Sequence, residues 1–464
     1  MIQVEGLTFH YPSQALAALR GISLAVAPGQ TLLVSGPTGC GKSTLGLALC
    51  GAVPWLIDGR LTGEARVKGI CSAERPMRET ARELGFLLQD VACQTFTDQV
   101  SDEIGFGLEN FGVPPKEMED RIAAALEQVG ASHLAARSLS TLSAGERQRA
   151  VLAALLALDQ PLLILDEPLA YLDREARHRL LELIRRLAGA GKGILVFEHR
   201  RDLVRPVADA EVGMEAGRRV AAAADPPQFP RFAPARPGPE RLEMKAVAMA
   251  WPRSGTVLFS DVSLAVRAAE SVVLLGENGS GKTTLLFMAM GLLQPRGGRI
   301  TTTGLDARLT PPERLARGAA LIFQHPDHQL YLSRVSEEVR LAAPDEETAA
   351  AELDAMGLSN LARRHPRSLS MGQKRRLTVA AALARRPQLL LLDEPSVGQD
   401  DRSLALVLQR LERFVCDGGA LLTATHDERV ARALGHRTYC LQDGTLREAA
   451  AGAESARATA AGSG

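Results

Sequence analysis

Two nine-residue stretches, "GPTGCGKST" at 36–44 and "GENGSGKTT" at 276–284, carry the residue types that bind phosphate. Both fit GxxxxGK[ST], in which glycines let backbone N–H groups converge on phosphate oxygens without Cβ clashes, and the following helix points its positive end at the same charge. One cradle is Gly36, Pro37, Thr38, Gly39, Cys40, Gly41, Lys42, Ser43 and Thr44; the other is Gly276, Glu277, Asn278, Gly279, Ser280, Gly281, Lys282, Thr283 and Thr284. Lys42 and Lys282 would reach the β- and γ-phosphates of a bound nucleotide, and Ser43 and Thr283 would ligate Mg²⁺. A glycine-rich turn that fits by chance is the bland alternative, and the strand before, the helix after and the second copy all weigh against it. Cys40 reads as a small neutral residue with its side chain turned from phosphate rather than as an oxidation switch.

An acid pair ends each of two apolar runs, "LLILDEP" and "LLLLDEP". Asp166 and Asp393 would hold Mg²⁺ through water, while Glu167 and Glu394 would orient and deprotonate the attacking water. A strand-end acid that merely caps the next turn is the competing reading. A third segment, "IFQHPDHQLYLSRV" at 322–335, sets His325, Asp327 and His328 between Gln324 and Gln329. These are metal-ligand types, but the related "LLQDVACQTFTDQV" at 87–100 keeps both glutamines and neither histidine. The glutamines, not an HxxH metal site, are therefore the part to follow.

The elements that must position these residues repeat. Lys42 and Lys282 lie 240 positions apart, whereas Ser143/Ser370, Glu167/Glu394 and His199/His426 are each separated by 227. The first copy has five extra residues before its glutamine and eight after it, which we expect to lie in surface loops. Each copy opens with short alternating segments and then alternates strand-like runs with helical ones, the pattern of an α/β fold with a mainly parallel sheet. The expected organisation is a first domain over 1–220, a Pro/Ala-rich linker over 221–240 that could span on the order of 60 Å, a second domain over 241–448 and a disordered tail over 449–464.

Bulk composition limits the alternatives. The 464 residues are 46% hydrophobic and 23% charged, enough for full cores, and 54 basic side chains balance 54 acidic ones. That balance gives no reason to expect a nucleic-acid partner. Six cysteines without a CxxC pair read as reduced thiols. The start "MIQVEGLTFHYP" lacks a signal pattern, and the longest apolar run, "AVLAALLAL", is roughly half the length needed to cross a bilayer. A soluble chain is expected, membrane-associated only through partners.

The family becomes recognisable at "LSAGERQR" (142–149) and "LSMGQKRR" (369–376), 24 residues before the respective glutamates. They resemble the LSGGQ signature of ATP-binding cassette (ABC) ATPases, with departures at Ala144 and Met371. The resemblance covers nearly the whole chain apart from linker and tail. It implies two tandem P-loop NTPase domains of ABC type, each with a RecA-like core, an antiparallel β subdomain and a helical subdomain. It also implies an intramolecular pseudo-dimer in which ATP on Lys42 is closed by Ser370 and Gly372, and ATP on Lys282 by Ser143 and Gly145. His199 and His426 would contact the γ-phosphate, and Gln89 and Gln324 would sense Mg²⁺ and the attacking water. Tyr11 and Trp251 would stack on adenine, although an aromatic before proline is often only packing. Asp173 and Asp400 fall at the D-loop position in altered surroundings.

Within the family, three readings compete: an importer ATPase, a soluble translation-factor type, and a tandem sugar- or peptide-transport type. The short proline-rich linker and the intact second phosphate loop argue against the last two. "FQHPDHQLYLSRVSEEV" and "LQDVACQTFTDQVSDEIGFGLENFGVP" resemble the segment after the Q-loop in energy-coupling factor (ECF) and cobalt/nickel importer ATPases, as does the Glu before histidine in "FEHRRD". That resemblance implies a vitamin or transition-metal importer, a transmembrane T-type subunit, a substrate-binding membrane subunit reached through it, and a place on the cytoplasmic face of the membrane. Gln94 and Gln329 would then lie towards the partner.

Overall fold

In the computed structural model, the described residues are 1–12, 16–221, 229–232, 236–251 and 257–449. Part of the expected linker and residues 450–464 of the expected tail lie outside them. The chain divides into two units, Met1–Asp225 and Pro226–Gly464.

Each unit holds the same two sheets. In the first, strands Ile2–His10, Leu19–Val26, Arg60–Val67 and Ile70–Cys71 form an antiparallel sheet. Its first two strands alternate buried and exposed residues, as a sheet with one wet face must. The second sheet runs in the spatial order Leu84–Leu87, Leu162–Asp166, Gly193–Glu198, Thr31–Ser35, Ala210–Glu215, Arg218–Val220. The first five are parallel and the last is antiparallel. Its central strands are buried at every position, which explains their unbroken Leu/Ile/Val runs.

The second unit repeats this arrangement with Ala319–Ile322, Leu389–Asp393, Ala420–Thr425, Ser271–Leu275, Arg437–Gln442 and Thr445–Glu448. Four neighbouring parallel strands thus end side by side. The residues just beyond those ends are Gln89, Asp166–Glu167, Glu198–His199 and the first phosphate loop. Ligands in open α/β sheets bind at such carboxyl ends. Among the described residues, no helix is long and apolar enough to cross a membrane.

The eight extra residues of the first copy do not form a surface loop. They lengthen two helices, Val100–Asn110 and Pro115–Gln128 with 11 and 14 residues, against Val335–Arg340 and Glu346–Ala355 with 6 and 10. Added helical turns satisfy their own backbone and pack further apolar residues, here Met118 and Ile122, against the same core.

Candidate nucleotide and catalytic sites

The phosphate loops are built by strained glycines. Gly41 and Gly281 cap helices Lys42–Leu49 and Lys282–Ala289 at φ 107° and 103°, conformations that an L side chain rarely adopts. A Cβ on Gly41 would also lie 2.5 Å from the Ala18 carbonyl oxygen. Lys42 Nζ donates to the carbonyls of Gly36 (2.6 Å) and Pro37 (3.1 Å), and Lys282 Nζ to those of Gly276 (2.8 Å) and Glu277 (2.9 Å). Both lysines therefore arch back over their loops, poised at the loop's centre. Cys40 is buried with its Sγ 3.7 Å from Lys42 Nζ, and burial, partly offset by Lys42, raises its thiol pKa.

The residues expected to hold Mg²⁺ meet across each site. Ser43 Oγ donates to Asp166 Oδ2 at 2.6 Å, and Thr283 Oγ1 to Asp393 Oδ2 at 2.8 Å. Burial, with the neighbouring glutamate adding to it, pushes Asp166 up to about 7 and Asp393 up to about 6, against the pull of those hydroxyls. Asp393 Oδ1 is buried without a hydrogen-bond partner. Hydroxyl and carboxylate oxygens, one of them unsatisfied, in a site that penalises a bare negative charge suit a hard divalent cation. Residues Ser43, Asp166 and Gln89, and likewise Thr283, Asp393 and Gln324, are the ones that would hold it.

Glu167 and Glu394 both sit at positive φ, 49° and 47°, with their backbone N–H groups bonded to Phe197 and Ala424 on the adjacent strand at 2.9 Å each. A left-handed glutamate costs on the order of 1–3 kcal/mol and survives only where its surroundings impose it. Here the twist turns the carboxylate across the strand ends. Burial opposes its ionisation, but His199, Lys42 and Gln89 together hold Glu167 below its ordinary value, and His426 and Lys282 do the same for Glu394.

The partners of the two glutamates differ. Glu167 Oε2 accepts from Gln89 Nε2 at 2.8 Å, and its Oε1 lies 3.6 Å from His199 Nδ1. Glu394 Oε2 accepts from Thr425 Oγ1 (3.1 Å) and the His426 backbone N–H (3.3 Å), and lies 3.0 Å from His426 Nδ1. Among the described residues, no hydrogen bond joins the Gln324 side chain to Glu394.

Sequence reasoning gave no role to four buried residues at these sites. Glu198 is 1% exposed and places Oε1 3.1 Å from His199 Nδ1. Against the opposing effect of burial, Glu198 and Glu167 raise His199 to about 9. Thr425, at the equivalent position, is described above. Arg375, also 1% exposed, donates to the carbonyls of Phe323, Gln324 and Asp393, where the first unit has Gln148 donating only to Pro168. The available signal was position: Glu198, noted above only for its resemblance, and Thr425 end apolar runs just before His199 and His426, and Gln148 and Arg375 lie inside the "LSAGERQR" and "LSMGQKRR" segments.

Ser143 and Ser370 are helix N-caps with complete capping boxes to Glu146 and Gln373, over helices Ala144–Ala157 and Met371–Ala384. Their glycines are sterically required: a Cβ on Gly145 would meet the Tyr171 carbonyl oxygen at 2.8 Å, and one on Gly372 the Gly398 carbonyl oxygen at 2.9 Å. Asp173 and Asp400 cap helices Arg174–Gly189 and Asp401–Cys416 through bonds to Ala176 and Ser403. Tyr11 Oη lies 3.1 Å from Thr44 Oγ1, tying its ring to the phosphate-loop helix, whereas Trp251 is 42% exposed.

Gln94 and Gln329, expected to lie towards a partner, have their amides bonded within their own units. Each folds back onto its own chain, Gln94 bonding Leu88 N and Phe86 O, Gln329 bonding Phe323 N and Leu321 O. Each amide thereby satisfies a donor and an acceptor left unpaired where the edge strand ends. In the histidine-rich segment, Asp327 pairs with Lys374 at 2.7 Å, and the His325 and His328 rings lie 5.7 Å apart.

The family model described as "ABC transporter" matches residues 19–170 and 259–397. A "Putative ABC transporter ATP-binding protein" of Methanosarcina acetivorans is 32% identical over 97% of this chain and 90% of its own length. The "Putative HMP/thiamine import ATP-binding protein YkoD" of Bacillus subtilis is 30% identical over 96% of this chain and 90% of its own. The solved structure titled "RNase-L Inhibitor" shares the fold, with a TM-score of 0.64 at 20% identity over 95% of this chain and 89% of that one. With both phosphate loops, both acid pairs and both signature helices in place, this chain belongs to the ABC transporter family, as an ATPase whose two ABC domains bind ATP with Mg²⁺.

Proposed function

We propose that the chain is the energy-coupling subunit of an ECF-type importer for a vitamin or a transition metal, acting from the cytoplasmic face of the membrane on a transmembrane T-type subunit and, through it, on a substrate-binding membrane subunit. The observation that carries this reading is an apolar groove of about 450 Å³ in the second unit, beside Gln324. Leu292, Phe323, Tyr331 and Leu341 line it, and Tyr331 and Leu341 are 80% and 79% exposed. In the first unit, Phe96 and Phe106 stand exposed beyond Gln89 with ring centroids 5.7 Å apart. Large exposed side chains beside a catalytic loop fit an amphipathic helix of a partner. The near full-length similarity to a relative named for HMP/thiamine import supports the same class of cargo.

In this reading, two ATPs close a head-to-tail sandwich, each bound by Lys42 or Lys282 and covered by Ser370 and Gly372 or Ser143 and Gly145. Tyr11 and Trp251 stack on the adenines. Ser43, Asp166 and Gln89, with Thr283, Asp393 and Gln324, hold Mg²⁺, which neutralises charge developing on the phosphates. Glu167 and Glu394 accept a proton from the attacking water, and His199 and His426 bind the γ-phosphate. Closure moves the groove and, with it, the partner's helices.

The test is affinity purification of the full chain from membranes solubilised in mild detergent. A hydrophobic multi-span subunit should copurify, and Tyr331→Glu with Leu341→Glu should release it without altering ATP binding. Cosedimentation with ribosomes and no membrane partner would favour the soluble reading instead.

A further inference from the structure

We propose that Glu198 is a positioning residue that makes hydrolysis at the first nucleotide site depend on the Gln89 amide, whereas Thr425 frees the second site from its own glutamine. This inference rests on the reading of Glu167 and Glu394 as the bases that activate water. Glu198 is clamped in place: its Oε1 accepts the backbone N–H groups of His199 (2.9 Å) and Arg200 (3.2 Å). From there it competes for the imidazole, standing 3.1 Å from His199 Nδ1 against 3.6 Å for Glu167. Having no hydroxyl, it offers Glu167 no hydrogen bond. The side-chain donor to Glu167 Oε2 is Gln89, at 2.8 Å.

The second site solves the same problem internally. Thr425 donates to Glu394 Oε2, the His426 N–H adds a second bond, and His426 Nδ1 lies 3.0 Å away. All three groups belong to the end of one strand and the turn after it, so none moves with the segment beyond Gln324. That segment's entry is also pinned, because Arg375 ties the Phe323 and Gln324 carbonyls to the Asp393 carbonyl. Gln148 replaces this anchor in the first unit and bonds Pro168 instead, leaving Leu88–Gln89 without it.

A shift of the Gln89 segment therefore removes a hydrogen bond to an ionised carboxylate from the first base and none from the second. Bonds to charged groups are stronger than neutral ones, so the first site responds to whatever moves that segment while the second runs at a set rate.

A double-mutant cycle on the full chain tests this on the background Glu394→Gln, which silences the second base so that turnover reports the first site, with kcat and KM for ATP measured for that parent, Gln89→Ala, Glu198→Thr and the pair. Gln89→Ala should lower kcat about tenfold with KM for ATP within about twofold of the parent. The same change made on Glu198→Thr should cost clearly less, about threefold, because the introduced hydroxyl would donate to Glu167 as Thr425 does to Glu394, the residual loss being what Gln89 contributes at Mg²⁺. Gln324→Ala, made on Glu167→Gln so that turnover reports the second site, should cost less than Gln89→Ala costs at the first. Equal losses from Gln89→Ala in both backgrounds overturn the proposal. Should Glu198→Thr fail to fold by thermal melting, Glu198→Gln runs the same cycle: its amide can donate to Glu167, so the cost of Gln89→Ala should again shrink, and an undiminished cost overturns the proposal. Lys42→Ala and Glu167→Gln serve as controls. If neither affects ATP binding or turnover, the site assignment itself fails; if both do and the cycle is additive, only the role of Glu198 fails.

Discussion

The two ATP sites share a scaffold and differ in what surrounds its working groups. Gly41 and Gly281, Glu167 and Glu394, and Lys42 and Lys282 occupy matching places, and the glycines and glutamates have φ angles within a few degrees of each other. The residue before His199 is a carboxylate and that before His426 a hydroxyl, and Arg375 anchors the Gln324 loop where the first unit has Gln148 bonded to Pro168 instead. The backbone strain at Glu167 and Glu394 is thus alike in both units, while the hydrogen bonds to their carboxylates differ. Geometry that any phosphate site needs is kept in both copies, and the divergence falls on groups that set how each site answers to its surroundings.

The largest expected effect tests what the sites have in common. Glu167→Gln together with Glu394→Gln should lower ATP turnover by at least about 10²–10³-fold, the usual worth of a general base, and trap an ATP-bound, closed form visible as a compact species by small-angle scattering with ATP and Mg²⁺. Turnover near that of the parent would refute the shared role of the two glutamates, and the comparison would lose its basis.

A smaller effect tests a difference in the cores. Arg410 makes two hydrogen bonds to Glu352, both largely buried, where the first unit places buried Leu183 and Ala125. Removing one partner leaves a buried charge, so Glu352→Ala should cost the second unit about 3 kcal/mol in chemical denaturation. Arg410→Leu with Glu352→Ala, which recreates the pair found in the first unit, should recover most of that loss. A double variant as unstable as the single would mean that the ion pair has a structural role the apolar pair cannot supply.

The smallest effect is on pH dependence and sharpens the comparison at the histidines. His199 is raised to about 9 by Glu198 and Glu167 against the cost of burial. A raised histidine contributes stability that is fully present below its unfolded value of about 6.5 and is lost as pH rises through its folded value. The first unit should therefore lose stability between about pH 6.5 and 9 in calorimetric melts, and Glu198→Gln should move that loss to lower pH. A profile unchanged by Glu198→Gln would show that Glu198 does not hold the charge on His199.

Much of the chemistry was legible because it is local. A phosphate loop, a DE pair after an apolar strand and a Ser-x-Gly helix start are each specified within about ten residues, since the φ angles, caps and donors they need are set by immediate neighbours. The roles of Ser143 and Ser370 as helix caps follow from the Glu and Gln three residues later. The fate of the eight extra residues was not legible, because an insertion read as a loop satisfies its backbone equally well as added helical turns.

Gln94 and Gln329 mark the same limit. Their spacing singled them out, but not that their amides would bond the Phe86 and Leu321 carbonyls. Sequence alone determined the two-fold repeat, the α/β pattern and which residues to propose as the reacting groups, because these depend on periodicity and on residues close together in the chain. Only the tertiary structure decided which group holds each base. Gln89 and Glu167 are 78 residues apart, and Thr425 and Glu394 are 31 apart. They meet because strand order, set by packing of buried parallel strands, brings their ends side by side.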